Sequence, residues 1–266
     1  MKAEREIVPP GFCPNCDTPE TLEFCPKCGQ KRPHHHEYAL GHFFHELFHE
    51  IFHVDGKIVR TLRTMVAEPG QVTLDYWEGR RARYLTPIRI YLLATAAFFA
   101  LVKFTGSLQG SEIAGSMPAM AGLASRFPAE LIEGRFQLFY KVFMVFSVAG
   151  LALLFRWLLG GRPYGAYLIA AVHTVSVLFV LTLIGQKVEE SLHRIAGLPT
   201  GWLTLVLLVF AYWPYLAVSM KRWTGQGWGW VAGRLALIIG ATIATDGVVY
   251  LAAIGATLAS FPRALP

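Results

Sequence analysis

The sequence predicts an all-α polytopic membrane protein, with about five transmembrane helices preceded by a small cysteine-rich head and amphipathic helices. Three observations carry that class. Of 266 residues, 54% are hydrophobic and 16% charged, and a mean hydropathy of +0.42 is too high for an ordinary soluble domain. Apolar stretches recur from residue 88 onward, each near the roughly twenty residues that a helix needs to cross a ~30 Å hydrocarbon core. Ahead of the first, Arg80, Arg81, Arg83 and Arg89 crowd the junction between a charged and an apolar part. Clustered Lys/Arg beside a span stay on the cytoplasmic side, which places residues 1–87 there.

The head is nearly balanced in charge, so the formal +6 arises in the membrane half. A pI of about 9.2 then reflects basic inner loops and gives nucleic-acid binding no support. Met1 to Pro33 holds no apolar segment of the length a signal peptide needs.

Taken in order, the first element is a pair of Cys-x-x-Cys knuckles, Cys13-Pro14-Asn15-Cys16 and Cys25-Pro26-Lys27-Cys28-Gly29. In a reducing compartment such pairs read as metal ligands, and four thiolates at this spacing converge tetrahedrally on one ion, for which zinc is the best fit. A redox dithiol or unligated cysteines would carry the same residues, although two matched knuckles favour the metal. A shell filled by four cysteines leaves no open position for chemistry, so the zinc of this ribbon is structural. The ribbon and its polar linker occupy residues 1–36.

Residues 37–87 form amphipathic and juxtamembrane helices. His42, His45, His49 and His53 fall within about 80° of one another on a helical wheel, opposite Phe44, Leu47, Phe48 and Ile51. Residues 45–49 and 49–53 each match His-Glu-x-x-His, so His45, His49 and His53 are candidate ligands of a second metal with Glu46 as base. A regulatory or proton-sensing stripe is an alternative. A solvated helix face built from His and Glu produces the same pattern. Next, Asp55 reads as an N-cap opening a helix with the apolar arc Ile58, Val59, Leu62, Met65 and Val66 against Lys57, Arg60 and Arg63. That helix either lies on an anionic membrane surface or packs against the preceding one. Pro69-Gly70 breaks the pattern, and Val72 to Glu78 forms a further short helix that delivers Tyr76, Trp77 and Tyr84 to the membrane interface.

These residues carry a resemblance. The knuckles, Asp55-Gly56-Lys57, Arg60-Thr61-Leu62, Glu68-Pro69-Gly70 and Tyr76-Trp77-Glu78-Gly79-Arg80-Arg81 followed by Pro87 are similar to an uncharacterised family of bacterial membrane proteins. In that family a zinc ribbon precedes a Tyr-x-x-Gly-x-Arg junction and several spans. The likeness covers roughly the first hundred residues. It implies a bacterial inner-membrane location with a cytoplasmic N-terminus, and it transfers no catalytic residue.

The transmembrane part, residues 88–266, has expected spans near 88–105, 137–158, 165–185, 202–220 and 229–258. The last is longer than one straight span needs and is either tilted or interrupted near Gly240 and Gly247. Trp213-Pro214 marks a kink in the fourth. Arg156–Arg162 and Lys221-Arg222 fall inside, whereas the segments from Gly106 to Arg135 and from Gln186 to Thr200 form outer loops. Lys103, Lys141 and Arg234 lie near enough to span ends to snorkel. His173 and Asp246 stand inside apolar runs, where an ionisable side chain is costly and therefore a candidate for function. They pair across helices, or each is satisfied locally by a Thr or a carbonyl.

No nucleophile constellation and no Gly-rich phosphate loop is present. The reading that needs fewest residues is an integral membrane protein whose zinc-stabilised head has an interaction, scaffold or sensing role with a protein partner, in contact with the bilayer. The alternative is a membrane-embedded enzyme or transporter using His173 and Asp246 or the His45–His53 metal site. Partner identity and homo-oligomerisation are left open by the sequence.

Overall fold

Residues Lys57–Ala67 form helix α1, Gln71–Trp77 form α2 and Pro87–Thr105 form α3. They are followed by α4 (Ala129–Leu159), α5 (Tyr164–Ala196), α6 (Trp202–Leu207), a π-helical turn (Leu208–Tyr212), α7 (Trp213–Thr224) and α8 (Trp228–Ser260). The structure, a computed structural model, describes residues 11–19, 24–30, 56–105, 126–197 and 202–261. The histidine-rich segment with His45, Glu46, His49 and His53, the expected cap Asp55 and residues 106–125 lie outside the described residues.

Four helices are long and apolar enough to cross a membrane: Glu130–Leu159, Tyr164–Ala196, Trp202–Thr224 and Trp228–Ser260. The expected first span does form a helix, but its described apolar part, Pro87–Phe98, is shorter than a full crossing. The sequence count of five is thus four full-length helices and one short one among the described residues. α8 runs unbroken through Gly240 and Gly247. Its 33 residues extend about 50 Å at 1.5 Å per residue, so it must tilt or protrude from a ~30 Å core.

α5 is the central helix. Half of its most apolar window is buried, against 17–24% in the other three spans. Ala170 and Ala171 let neighbours approach closely, and Phe179 and Tyr167 pack with Ala152 and Phe155 of α4 and Leu216 and Met220 of α7. α5 also continues eleven residues past the expected end of its span, through a segment expected to be an outer loop. Glu190 holds Lys187 at 2.9 Å and Arg194 at 2.8 Å, pairs that support a helix after the apolar pattern has ended. Glu189, buried in that extension, accepts from the amides of Leu203 and Thr204 and so caps the start of α6.

The kink expected at Trp213-Pro214 takes the form of the π-helical turn just before it. Pro214 has no amide proton to give to the carbonyl four residues earlier, and the widened turn accommodates the gap.

Candidate metal centre and junction

Each knuckle is closed by the same three backbone devices. The amide of Cys13 donates to Thr18 O at 2.8 Å and that of Cys25 to Gln30 O at 2.9 Å. The amides of Asp17 and Gly29 donate back to Cys13 O and Cys25 O. Asp17 and Gly29 share a left-handed backbone, with φ of 55° and 69°, so the two loops are near-copies of one turn.

The consequence is convergence. Cys13 Sγ lies 3.6 Å from Cys28 Sγ and Cys16 Sγ 3.5 Å from Cys25 Sγ, with all four sulfurs within 4.8 Å of one another. A tetrahedral zinc with Zn–S bonds of about 2.3 Å needs sulfurs roughly 3.8 Å apart, which this set brackets. The four cysteines therefore cluster as ligands that can hold a metal ion such as zinc. Without metal the thiols are unequal. Burial pushes the Cys13 thiol up to about 12, whereas the Thr18 hydroxyl, 3.3 Å away, draws Cys16 down to about 6. Loading a metal must displace the Cys13 proton.

The ribbon is seated on the arginine junction, a contact with no signature in the sequence. Gln30 Nε2 donates to Gly79 O at 2.8 Å, and Gln30 Oε1 accepts from the amides of Arg81 and Ala82, both at 3.1 Å. Arg83 donates to Asn15 O at 3.1 Å. Gly79, with φ of 87°, lies against Pro14, where an added Cβ would sit 3.3 Å from the ring.

Beneath the ribbon, Asp75 is a buried hub. Its Oδ1 accepts from Gln71 at 2.9 Å and from Arg80 Nη2 at 2.9 Å, and its Oδ2 accepts from the Tyr84 hydroxyl at 2.7 Å. Desolvation, then the hydrogen bond to Asp75, pushes the Tyr84 phenol up to about 12. Tyr76 donates to Leu85 O at 2.7 Å, and the Leu85 amide donates to Thr61 Oγ1 at 3.0 Å. Because the Thr61 hydroxyl faces inward for that bond, only part of the apolar arc of α1 turns to the core. Met65 is buried, while Val59, Leu62 and Val66 remain exposed. Tyr76 and Tyr84 pack inward in one buried cluster with Met65.

α2 wedges into the bundle. Trp77 donates to Ala166 O of α5 at 2.8 Å, and Arg162 stacks over its indole at 4.2 Å. At the other end of α2, Gly70 O accepts from Trp223 Nε1 at 3.0 Å.

His173 is buried beside this wedge. Its Nδ1 is 2.9 Å from Thr73 Oγ1 and its ring stands edge-on to Tyr76, with centroids 5.7 Å apart. Asp246 is elsewhere, on an open groove with Tyr212. No hydrogen bond or ion pair joins His173 to Asp246 among the described residues; of the two readings of the sequence, His173 meets the one in which a Thr satisfies it, although that Thr comes from another helix. Arg234 donates to Leu158 O at 2.9 Å, near the end of α4, and stacks on Trp230. The side chains of Lys103 and Lys141 lie outside the described set.

A family model described as "Protein of unknown function (DUF3667)" matches residues 55–99, under a fifth of the chain. The match begins after the four cysteines and ends within α3. No curated protein and no solved structure matches the chain.

Proposed function

We propose that this membrane protein carries one structural zinc on Cys13, Cys16, Cys25 and Cys28, and that the zinc-held head serves an interaction, scaffold or sensing role on the cytoplasmic face of a bacterial inner membrane. The observation that supports this reading best is the Gln30 clamp on Gly79, Arg81 and Ala82. Four sulfur ligands leave the metal no open position, so its chemistry is to fold the knuckles. Folded knuckles in turn present Gln30 to the backbone where the chain turns into α3. Phe12 and Phe24, each just before the first cysteine of a knuckle, are exposed at 42% and 51% and offer an apolar contact to a protein partner. The cytoplasmic side follows from the basic residues at the junction and at Lys221-Arg222.

Metal analysis of the purified chain tests the reading. One zinc per chain is expected in the wild type and in His49→Ala, and none in Cys13→Ser, which should still insert its spans. Two ions in the wild type and one in His49→Ala would assign a second centre to the histidine-rich segment. Freely titrating thiols in the metal-replete protein would sink the ribbon.

A further inference from the structure

A groove of about 490 Å³ opens on the flank of the bundle between α4, α5, the π-helical turn and α8. Its walls are mainly apolar, and one carboxylate, Asp246, stands in them. Asp246 comes eighteen residues after Trp228 and fourteen before Ser260, close to the middle of α8. Tyr212 is equally central in Trp202–Thr224, so Asp246 and Tyr212 both stand near the middle of their helices, and the groove runs from there toward Trp157 near the end of α4. Ile243 and Trp157 beside it are 66% and 80% exposed, which shows that the groove is open toward the lipid.

A carboxylate at this depth takes up a proton unless a counter-charge holds it ionised. The described residues supply none. No ion pair or hydrogen bond to Asp246 is made by any described side chain, and the groove is lined by no Lys, Arg or His. Aromatic residues of α4, the π-helical turn and α7 line the groove as well. Tyr212, Trp213 and Trp157 border the groove, and ring faces attract desolvated cations. The π-helical turn widens the backbone at Tyr212, a distortion often found at binding sites.

We propose that this groove is a binding site for a lipophilic organic cation, an amine or quaternary onium centre on an apolar body, with Asp246 as its counter-ion. The volume falls within the ~300–1,000 Å³ of small-molecule sites. A hydrophilic ammonium would not partition to this depth, whereas a cation whose charge is shielded by apolar groups reaches the groove laterally from the bilayer. The site is independent of the cysteine ribbon and of the junction.

The test uses the full chain in lipid nanodiscs with tetraphenylphosphonium as probe and tetraphenylborate as an anion of the same shape. Saturable binding of one phosphonium per chain is expected, with little saturable binding of the borate. Asp246→Asn should weaken phosphonium binding at least tenfold, and Asp246→Glu should retain it. Gly150 lines the groove and an added Cβ there meets nothing within 4 Å, so Gly150→Leu should fill the space and abolish binding without touching Asp246. Unfolding midpoints and metal content equal to wild type certify each variant, and Gly150→Leu decides the matter if Asp246→Asn fails to fold. No saturable phosphonium binding, equal binding of the borate, or unchanged affinity in both Asp246→Asn and Gly150→Leu overturns the proposal. Tight retention of a native phospholipid that excludes the probe from the groove overturns it as well.

Discussion

Gly70→Ala tests whether the wedge of α2 is held as described. Gly70 has φ of 78°, a left-handed backbone that costs an L-residue about 1–2 kcal/mol. A Cβ built there would lie 2.8 Å from Ser219 Cα and 2.8 Å from Trp223 Nε1. The first neighbour is backbone and cannot swing away, so relief requires α2 and α7 to separate, at an overpacking cost of roughly 1–3 kcal/mol. Separation also lengthens the bond from Trp223 Nε1 to Gly70 O, worth about 0.5–1.5 kcal/mol. The sum is a loss of about 2.5–6.5 kcal/mol. Denaturant unfolding in mixed micelles reads it, with Gly240→Ala as control because a Cβ at Gly240 meets nothing within 4 Å. Since the indole is one of the two obstructions, Trp223→Phe should make the Gly70→Ala loss smaller than additive. A Gly70→Ala midpoint within about 1 kcal/mol of wild type would refute the placement of α2, whatever the fate of the ribbon.

Gln30→Ala should leave the metal count at one while the amides of Arg81 and Ala82 exchange hydrogen roughly five- to tenfold faster, as loss of a bond worth about 1 kcal/mol implies. Equal protection would detach the ribbon from the junction. The Tyr84 phenol is raised from about 10 in the unfolded chain to about 12, so the neutral form is favoured by folding. Its contribution is full below pH 10 and is lost as pH climbs toward 12. Unfolding midpoints measured across that interval should therefore fall more steeply for wild type than for Tyr84→Phe, and parallel slopes would contradict the burial of the phenol against Asp75. Reporter fusions near residue 40 and in the loop after Arg156 should both report the cytoplasm, and a periplasmic signal from either would reverse the assigned orientation.

The parts of the molecule that were legible in the sequence are those governed by spacing. Two Cys-x-x-Cys pairs encode a cluster because each short loop can close only one way, and Asp17 occupying the place of Gly29 did not disturb it. Apolar run length located the four spanning helices, and an acid amid apolar residues drew attention to Asp246. Side chains that reach far along the chain left no local trace. Gln30 bonds to residues about fifty positions away, and Thr73 reaches His173 one hundred positions away. Both look like ordinary polar surface residues in one dimension. Helix ends were misjudged where ion pairs prolonged α5 beyond its apolar pattern, because hydropathy is blind to pairs such as Lys187 with Glu190.

The junction motif itself turns out to be a problem in backbone accounting. Where the chain leaves water for hydrocarbon, amides and carbonyls lose solvent before a helix has taken them over, and each orphaned group is costly. Thr61 serves the Leu85 amide, Tyr76 serves the Leu85 carbonyl, Gln30 serves Gly79, Arg81 and Ala82, and Trp223 serves Gly70. Gly70 and Gly79 supply turns that a side chain would obstruct. None of these roles is chemical. The family match over residues 55–99 coincides with the segment that makes most of these backbone contacts. It excludes the cysteines, and it excludes Tyr212 and Asp246. Both sites proposed above, the metal-held head and the groove, therefore lie outside the matched segment.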